Sequence, residues 1–509
     1  MVRSATSLPS PAGTRSRRPL AAAALCGIGL VAAALTAGPA TAGPAAAEST
    51  GAASGSSLAA PTPVPDGVLM SYVVNSKANP GQTRLAERAV RDAGGTVVQS
   101  WPQIGVVVAH STSADFREDV VDVAKGHAVQ SVGATRTAAV KTPADAAPPA
   151  RSLTRSTETR SAFEIRQGVS ATEVVEADPL EGQQWDMTQI KADVASDGSR
   201  DVTVGVLDSG IDDTHPDLAP NLDAKNSVGC TAYGVPDTRR AAWIPTTSDH
   251  GTHVAGTIAA AKNGVGIVGV APNSLMTSIK VVDDDGFIYP EYAVCGFVWA
   301  AEHGVDVTNN SYYIDPWMFW CSNDPDQAAA KEAVRRAVSY SERNGVVSAA
   351  AAGNSNYDLA NKTTDTTSPN DTTPVTRQID EGCEDIPAEL PGVVTVASTD
   401  QAQAKSTFSN YGDGVIDVAA PGSRILSTVL NGGWGLKSGT SMASPHVAGV
   451  LALLKASHPD ASPSELVSLL RAQADDRPCP TDVRCTGTPA YNGFFGDGLV
   501  DALDATGGR

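Results

Sequence analysis

Three polar residues stand where acyl-transfer chemistry would need them. Asp208 lies in VLDSGID, directly after an apolar run that reads as a buried strand. His250 lies in DHGTHVAGTIAA, at a loop-to-helix junction, and Ser441 lies in SGTSMASPHVAGVLALL, just before a long apolar helix. A serine hydroxyl is a weak nucleophile that needs an imidazole to take its proton. The imidazole in turn needs a buried carboxylate to hold its tautomer and stabilise its charge. A serine at a helix start also sits beside unpaired N–H groups and the positive end of the helix dipole, which suits a developing oxyanion. Taken singly, each residue has an ordinary reading: a strand-end Asp closes a turn, and a Ser before a helix is an N-cap. His215, His253, His303, His446 and His458 compete with His250 for the base, and spacing does not choose among them.

The elements that must position these groups are legible as alternating runs. DVTVGVLDSG, SLMTSIKVV, VDVTNNS, GVVSAAAAGN and GVVTVAS are apolar stretches, separated by helical segments such as 291–303 and 328–344. Buried strands alternating with helices predict an α/β fold with a mostly parallel sheet over 181–509. Chemistry in such sheets gathers at the carboxyl ends of the strands, where Asp208, Ser311 and Asn354 fall. Residues 67–140 read differently, as β-α-β-β-α-β. Their helices cover 82–94, with Leu85, Ala86, Ala89 and Val90 on one side, and 113–125. This order predicts a small α+β (ferredoxin-like) domain. Ala, Gly, Ser and Pro make 43–66 a linker, and Thr, Ala, Pro and Arg make 141–180 a second one.

The chain has 509 residues and a formal charge of −19. Residues 1–180 carry a net +2 and 181–509 a net −21. An acidic chain without clustered Lys and Arg excludes binding of nucleic acid through its phosphates. The basic TRSRR at 14–18, the apolar LAAAALCGIGLVAAALTA at 20–37 and Ala40-Thr41-Ala42 together read as a secretory signal peptide over 1–42. With no second apolar run of that length, the expectation is an exported protein without a stable membrane anchor. Export leaves six cysteines, Cys230, Cys295, Cys321, Cys383, Cys479 and Cys485, and predicts three disulfides. Six cysteines allow 15 pairings. Only Cys479–Cys485 is favoured, because the two flank a short Pro-containing turn.

The motifs VLDSGID, HGTHVAGT and GTSMASPHVAG, in the order Asp, His, Ser, resemble the subtilisin family of serine peptidases (subtilases). No GxSxG surrounds any serine, which argues against an α/β-hydrolase. The resemblance covers nearly all of 181–509 and implies a subtilisin-like three-layer fold. It implies that Asp208 orients the imidazole, His250 is general base and then acid, and Ser441 is the nucleophile. Asn354, in VVSAAAAGNS, matches the asparagine of the oxyanion hole. Segment 67–140 resembles the inhibitory propeptide of secreted subtilases, with self-cleavage expected in the linker that follows. The chemistry requires no cofactor, but the resemblance implies a structural calcium ion at Asp217 and Asn263 with the carbonyls of Ala261, Val265 and Ile267. Its N-terminal ligand is expected near Glu181–Gln184. Substrate is expected to pair with Gly286, Phe287 and Ile288 on one side and Ser311, Tyr312 and Tyr313 on the other. The last three depart from the family's usual Ser-Leu-Gly. Segment 355–385 is longer than usual and is expected to rim the cleft.

The sequence is therefore read as a secreted, monomeric serine endopeptidase acting on polypeptides through an acyl-enzyme, with its own propeptide as intramolecular inhibitor. The alternatives are a dedicated processing protease for one precursor and, from a different class, an inactive subtilase scaffold that serves as a binding protein.

Overall fold

The structure, a computed structural model, describes residues 63–126, 128–141 and 177–507. The expected signal peptide, most of the first linker and most of the second lie outside the described residues.

The N-terminal part folds as β1 (Met70–Asn75), α1 (Pro80–Asp92), β2 (Thr96–Trp101), β3 (Val106–Ser111), α2 (Phe116–Ala124) and β4 (Ser131–Ala134). The strands form one sheet in the order β2-β3-β1-β4. Helix α1 starts where Pro80 fits the first turn and the Asn79 side chain caps the Gln82 N–H at 2.9 Å. It buries Thr83, Ala86, Ala89 and Val90. Leu85, expected on that face, points outward and is 43% exposed. The tilted pair of Tyr72 and Phe116, with ring centroids 4.7 Å apart, fills the space between helices and sheet.

The large sheet has eight strands: β5 (Thr203–Asp208), β6 (Val228–Ala232), β7 (Val235–Asp237), β8 (Leu275–Lys280), β9 (Val307–Asn310), β10 (Val347–Ala351), β11 (Val393–Thr399) and β12 (Val418–Pro421). Their order is β12-β11-β10-β9-β5-β8-β6-β7, parallel except for the edge pair β6–β7. Helices α3 (His250–Ala259) and α6 (Thr440–Ser457) cover one face, and α4 (Pro290–Glu302) and α5 (Pro325–Arg343) cover the other. Alternation along β5 serves both layers: Val204 and Val206 pack toward α3 and α6, while Leu207 packs toward α4. A hairpin of β13 (Ile425–Val429) and β14 (Gly433–Lys437) leads into α6.

The small domain docks on α4 and α5. Val73, Trp101, Ile104 and Val106 share a buried cluster with both helices. The start of α5 is gripped by polar contacts as well: Arg117 reaches Asp326 at 2.6 and 2.8 Å, and the Ala134 N–H donates to the same carboxylate at 2.8 Å. The six cysteines among the described residues are all paired, as Cys230–Cys295, Cys321–Cys383 and Cys479–Cys485.

Candidate active site

Strand register sets the distances here. Leu207 in β5 pairs with Asn310 in β9, so Asp208 and Ser311 emerge side by side one residue later. Adjacent strands lie about 4.8 Å apart. Asp208 is 1% exposed, and both of its carboxylate oxygens lie 2.9 Å from Nδ1 of His250, whose side chain is 21% exposed. Ser209 N–H donates to Asp208 Oδ1 at 2.6 Å and leaves that carboxylate little freedom. Gly251 makes the approach possible, since a Cβ there would fall 2.5 Å from the Gly210 carbonyl and 3.1 Å from Asp208 Oδ1. The turn before His250 is tied down by Lys437, whose Nζ lies 2.9 Å from Asp249. Burial opposes the Asp249 charge, but Lys437 outweighs it and holds the carboxyl below its usual range.

Ser441 enters from the opposite direction, on the first turn of α6. Its Oγ donates to the Ser311 carbonyl at 3.3 Å, and Ser311 Oγ donates back to the Ser441 carbonyl at 2.9 Å. The strand end beside Asp208 is therefore the one that holds Ser441. Asn354 follows β10 and is clamped by Thr440: its Oδ1 accepts from the Thr440 N–H at 2.7 Å and hydroxyl at 2.9 Å. With Oδ1 engaged, Nδ2 faces Gly439. A point at the Cβ position of Gly439 would lie 3.5 Å from Asn354 Nδ2, 3.6 Å from its Oδ1 and 3.6 Å from the Ser441 nitrogen, so the amide and a backbone nitrogen of the helix start border one small space. A carboxylate on an imidazole, a hydroxyl at a helix N-terminus and two converging donors are what acyl transfer requires.

Residues 199–498 match peptidase S8, the subtilase family. The chain belongs to that family. It is a subtilisin-like serine endopeptidase.

This subtilase is 34% identical to subtilisin of Bacillus pumilus over 327 residues, which cover 63% of this chain and 98% of that protein. It is 32% identical to fervidolysin of Fervidobacterium pennivorans over 356 residues, 62% of this chain and 44% of that one. The crystal structure of fervidolysin, described as a keratinolytic enzyme related to subtilisin, superposes with a TM-score of 0.58 at 26% identity. It covers 88% of this chain and 62% of that one. The epidermin leader peptide processing serine protease EpiP of Staphylococcus aureus shares the fold, with a TM-score of 0.61 at 23% identity, over 86% of this chain and 98% of that one.

The expected substrate segments are partly engaged within the subtilase itself. The N–H groups of Gly286 and Phe287 donate to Asp283, at 3.0 Å to its carbonyl and 2.9 Å to its carboxylate. Ile288 departs from expectation. Its N–H donates to Asp315 Oδ2 and its carbonyl accepts from the Asp315 N–H, both at 2.7 Å, so its main chain is spent on the neighbouring segment rather than open to a substrate. Tyr312 is half-buried and donates to Asn310 Oδ1 at 3.0 Å; burial, reinforced by the charge of Asp208, pushes its hydroxyl well above the ordinary phenol range. Tyr313 Oη accepts from Asn370 at 2.8 Å, which attaches the 355–385 segment to this side of the cleft. Met442, beside Ser441, is fully buried.

The calcium expectation falls on a loop with orphaned oxygens. Asp217 is buried; its Oδ2 accepts from Trp434 Nε1 at 2.7 Å and from the Ile267 N–H at 3.1 Å, while its Oδ1 has no hydrogen-bond partner among the described residues. Burial pushes its carboxyl up to about 7, against the hydrogen bonds from Ile267 and Trp434. Asn263 Oδ1 accepts from the Val265 N–H at 3.0 Å, and the Ala261 N–H donates to the Asp217 carbonyl at 2.8 Å. Within 181–184, where the N-terminal ligand is expected, Gln184 is engaged elsewhere. Gln184 is bonded to the Val268 main chain at 2.8 and 2.9 Å. Asp178 faces the loop, 2% exposed, beside the backbone N–H groups of Asn263, Gly264 and Val265, and neither of its carboxylate oxygens has a close hydrogen-bond partner among the described residues. Its position inside the stretch read as linker hid it from sequence reasoning. Among the described residues no three His, Cys, Asp or Glu side chains cluster as ligands. The two carboxylates here, with the amide oxygen of Asn263 nearby, are hard oxygen donors of the kind that suits a cation such as Ca²⁺.

Proposed function

We propose that this subtilase is a secreted endopeptidase made as a zymogen that processes itself, and that Asp208, His250, Ser441 and Asn354 carry the reaction. The observation that supports these roles best is the pairing of both Asp208 oxygens with His250 Nδ1 at 2.9 Å, which presets the tautomer that leaves Nε2 as the base. Ser441 Oγ leaves the Ser311 carbonyl, gives its proton to His250 Nε2 and bonds to the substrate carbonyl carbon. The carbonyl oxygen takes the negative charge between Asn354 Nδ2 and the Ser441 N–H. His250 then returns the proton to the departing amine, the peptide C–N bond breaks, and water repeats the sequence on the acyl-enzyme. Asp208 stays ionised and balances the imidazolium throughout.

In this reading residues 67–140 are the inhibitory propeptide, and self-cleavage falls in the linker up to residue 180. Their docking on α4 and α5 supports it, as does the course of the tail: the Thr137 and Ala138 N–H groups donate to Asp371 at 2.9 Å, and Lys141 pairs with Asp285 beside Gly286. A calcium ion held by Asp178, Asp217, Asn263 and the carbonyls of Ala261, Val265 and Ile267 is proposed as structural, with no part in the reaction.

The test is labelling with a fluorophosphonate followed by peptide mapping, together with Ser441→Ala. The reading expects label on Ser441 and an uncut precursor in the variant. Normal processing of Ser441→Ala would remove self-cleavage, and absence of label from an intact Ser441 would remove the catalytic assignment.

A further inference from the structure

Just behind Asn354 the fold buries an acidic side chain without a cation of its own. Asp385 is 2% exposed, and its Oδ1 has no hydrogen-bond partner among the described residues. Glu389 is also buried; it accepts from the Asp385 N–H at 2.7 Å and forms an ion pair with Lys362, itself buried. Two carboxylates thus lie beside one ammonium, and the ammonium is bonded to Glu389. Burial in the first place, and repulsion from Glu389 in the second, push the Asp385 carboxyl well above the usual carboxylate range, with Lys362 pulling the other way. An acid held without a partner in the interior is a cost that a cation from outside would offset.

Its place relative to the site gives that cation a source. Two chain segments leave the Ser441 turn side by side, because β9 and β10 are neighbours with Asn310 opposite Ala350. One segment starts at Ser311, bonded to Ser441, and runs to Ile314, whose N–H donates at 3.0 Å to the carbonyl of Ile386, the residue after Asp385. The other holds Asn354 on Thr440, and the preceding Gly353 lies next to Asp385: a Cβ there would come 3.5 Å from Asp385 Oδ2 and 2.4 Å from Asn410 Nδ2. The backbone of Gly353, at a φ of +98°, favours glycine, so residue 353 itself puts no side chain over the carboxylate; Asn410 lies beside it, its Nδ2 donating to the Ala352 carbonyl at 2.8 Å. One segment thus runs from Ser441 to the residue after Asp385, and the other from Thr440 to the side of Asp385 itself. Three residues reach at most about 10 Å, which keeps Asp385 within range of a long cationic side chain.

We propose that Asp385 determines specificity by receiving the ammonium or guanidinium of a Lys or Arg on the amino side of the cleaved bond. This rests on the peptidase reading of Ser441 and deepens it by naming the substrate class.

The experiment compares kcat/KM of the enzyme made as the full chain and allowed to process itself, on four peptide p-nitroanilides, Ala-Ala-Pro-Xaa with Xaa Arg, Lys, Phe or Leu, and repeats the comparison with Asp385→Asn. The unaltered enzyme is expected to favour Arg and Lys over Phe and Leu by roughly a hundredfold, since a buried polar site left unpaired rejects apolar side chains strongly. Asp385→Asn is expected to remove that preference by lowering the rates on Arg and Lys, relative to Phe and Leu, roughly a hundredfold. If the variant does not fold, inhibition of the unaltered enzyme by an arginine aldehyde against its phenylalanine counterpart gives the same ranking. Preference for Phe or Leu in the unaltered enzyme, or for the phenylalanine aldehyde, overturns the proposal, as does an Asp385→Asn enzyme that still prefers Arg. Failure on all four substrates together with an unlabelled Ser441 overturns the peptidase reading instead, so the two failures are distinct.

Discussion

Arg136 and Glu291 form an ion pair that water does not reach, with side chains 5% and 0% exposed. Arg136 comes from the tail of the small domain and Glu291 from the first turn of α4. The guanidinium also lies 3.5 Å over the ring of Tyr289, and Ser71 Oγ donates to Glu291 Oε1 at 2.9 Å. Breaking a buried pair from one side leaves an uncompensated charge and costs about 3–5 kcal/mol. Glu291→Ala is therefore expected to loosen the small domain from α4 and α5. The precursor should melt at a lower temperature, and limited proteolysis should cut sooner between the two parts. A precursor with unchanged melting and unchanged proteolysis would show that the pair does not hold the interface.

This contact also shows what a sequence conceals. Arg136 and Glu291 are 155 positions apart, and each alone reads as an ordinary solvated charge. Asp208, His250 and Ser441 were singled out by the motifs VLDSGID, HGTHVAGT and GTSMASPHVAG and their resemblance to the subtilases, whereas spacing alone left five other histidines in competition. The βαββαβ order was legible through short-range periodicity. Leu85 misled because α1 begins at Pro80 and its buried face is set by Thr83 and Ala86. Asp178 was hidden by a linker composition that ends only two residues later. The pairing of Ile288 with Asp315 and the burial of Asp385 depend on how distant loops close over the sheet, which neither periodicity nor motif carries.

Asn354→Ala separates the role of the amide donor from that of its clamp. Loss of an oxyanion donor is expected to lower kcat by about 10²–10³-fold with KM little changed. The same substitution strips the Thr440 N–H of its acceptor, a loss of about 1 kcal/mol in stability. Steady-state kinetics and a melting curve on one sample check both. A rise in KM at constant kcat would place Asn354 in ground-state binding instead.

Removal of calcium tests the orphaned oxygens of Asp178 and Asp217. A ligand that binds only the folded state at a hundred times its Kd stabilises by about 2.7 kcal/mol. A chelator is accordingly expected to lower the melting temperature, and excess Ca²⁺ to restore it. Asp178→Asn should weaken the calcium dependence, and Gln184→Ala should leave it intact because that side chain is bonded to Val268. A chelator without effect on the melting of the parent protein would rule out the site.

His253 gives the protein an acid limb that is separate from catalysis. It lies on α3 three residues after His250, fully buried, with Nε2 3.1 Å from the carbonyls of Ile425 and Gly435 and with Nδ1 lacking a hydrogen-bond partner among the described residues. Burial, then the charges of Lys437 and His250, lower its pKa to about 3, against the weaker pull of Asp249. In the unfolded chain a histidine titrates near 6.5. Between these values the unfolded state binds one proton more than the folded state, so stability rises with pH across the window. The contribution is fully present above about pH 6.5 and is lost as pH falls toward 3, a total on the order of 5 kcal/mol. Melting curves of the inactive Ser441→Ala protein from pH 7 to 3 avoid self-digestion. They should fall more steeply than those of the same protein carrying His253→Gln, whose side-chain N–H preserves a donor toward the two carbonyls and does not titrate. Equal acid slopes in the two proteins would show that a different group sets the limb.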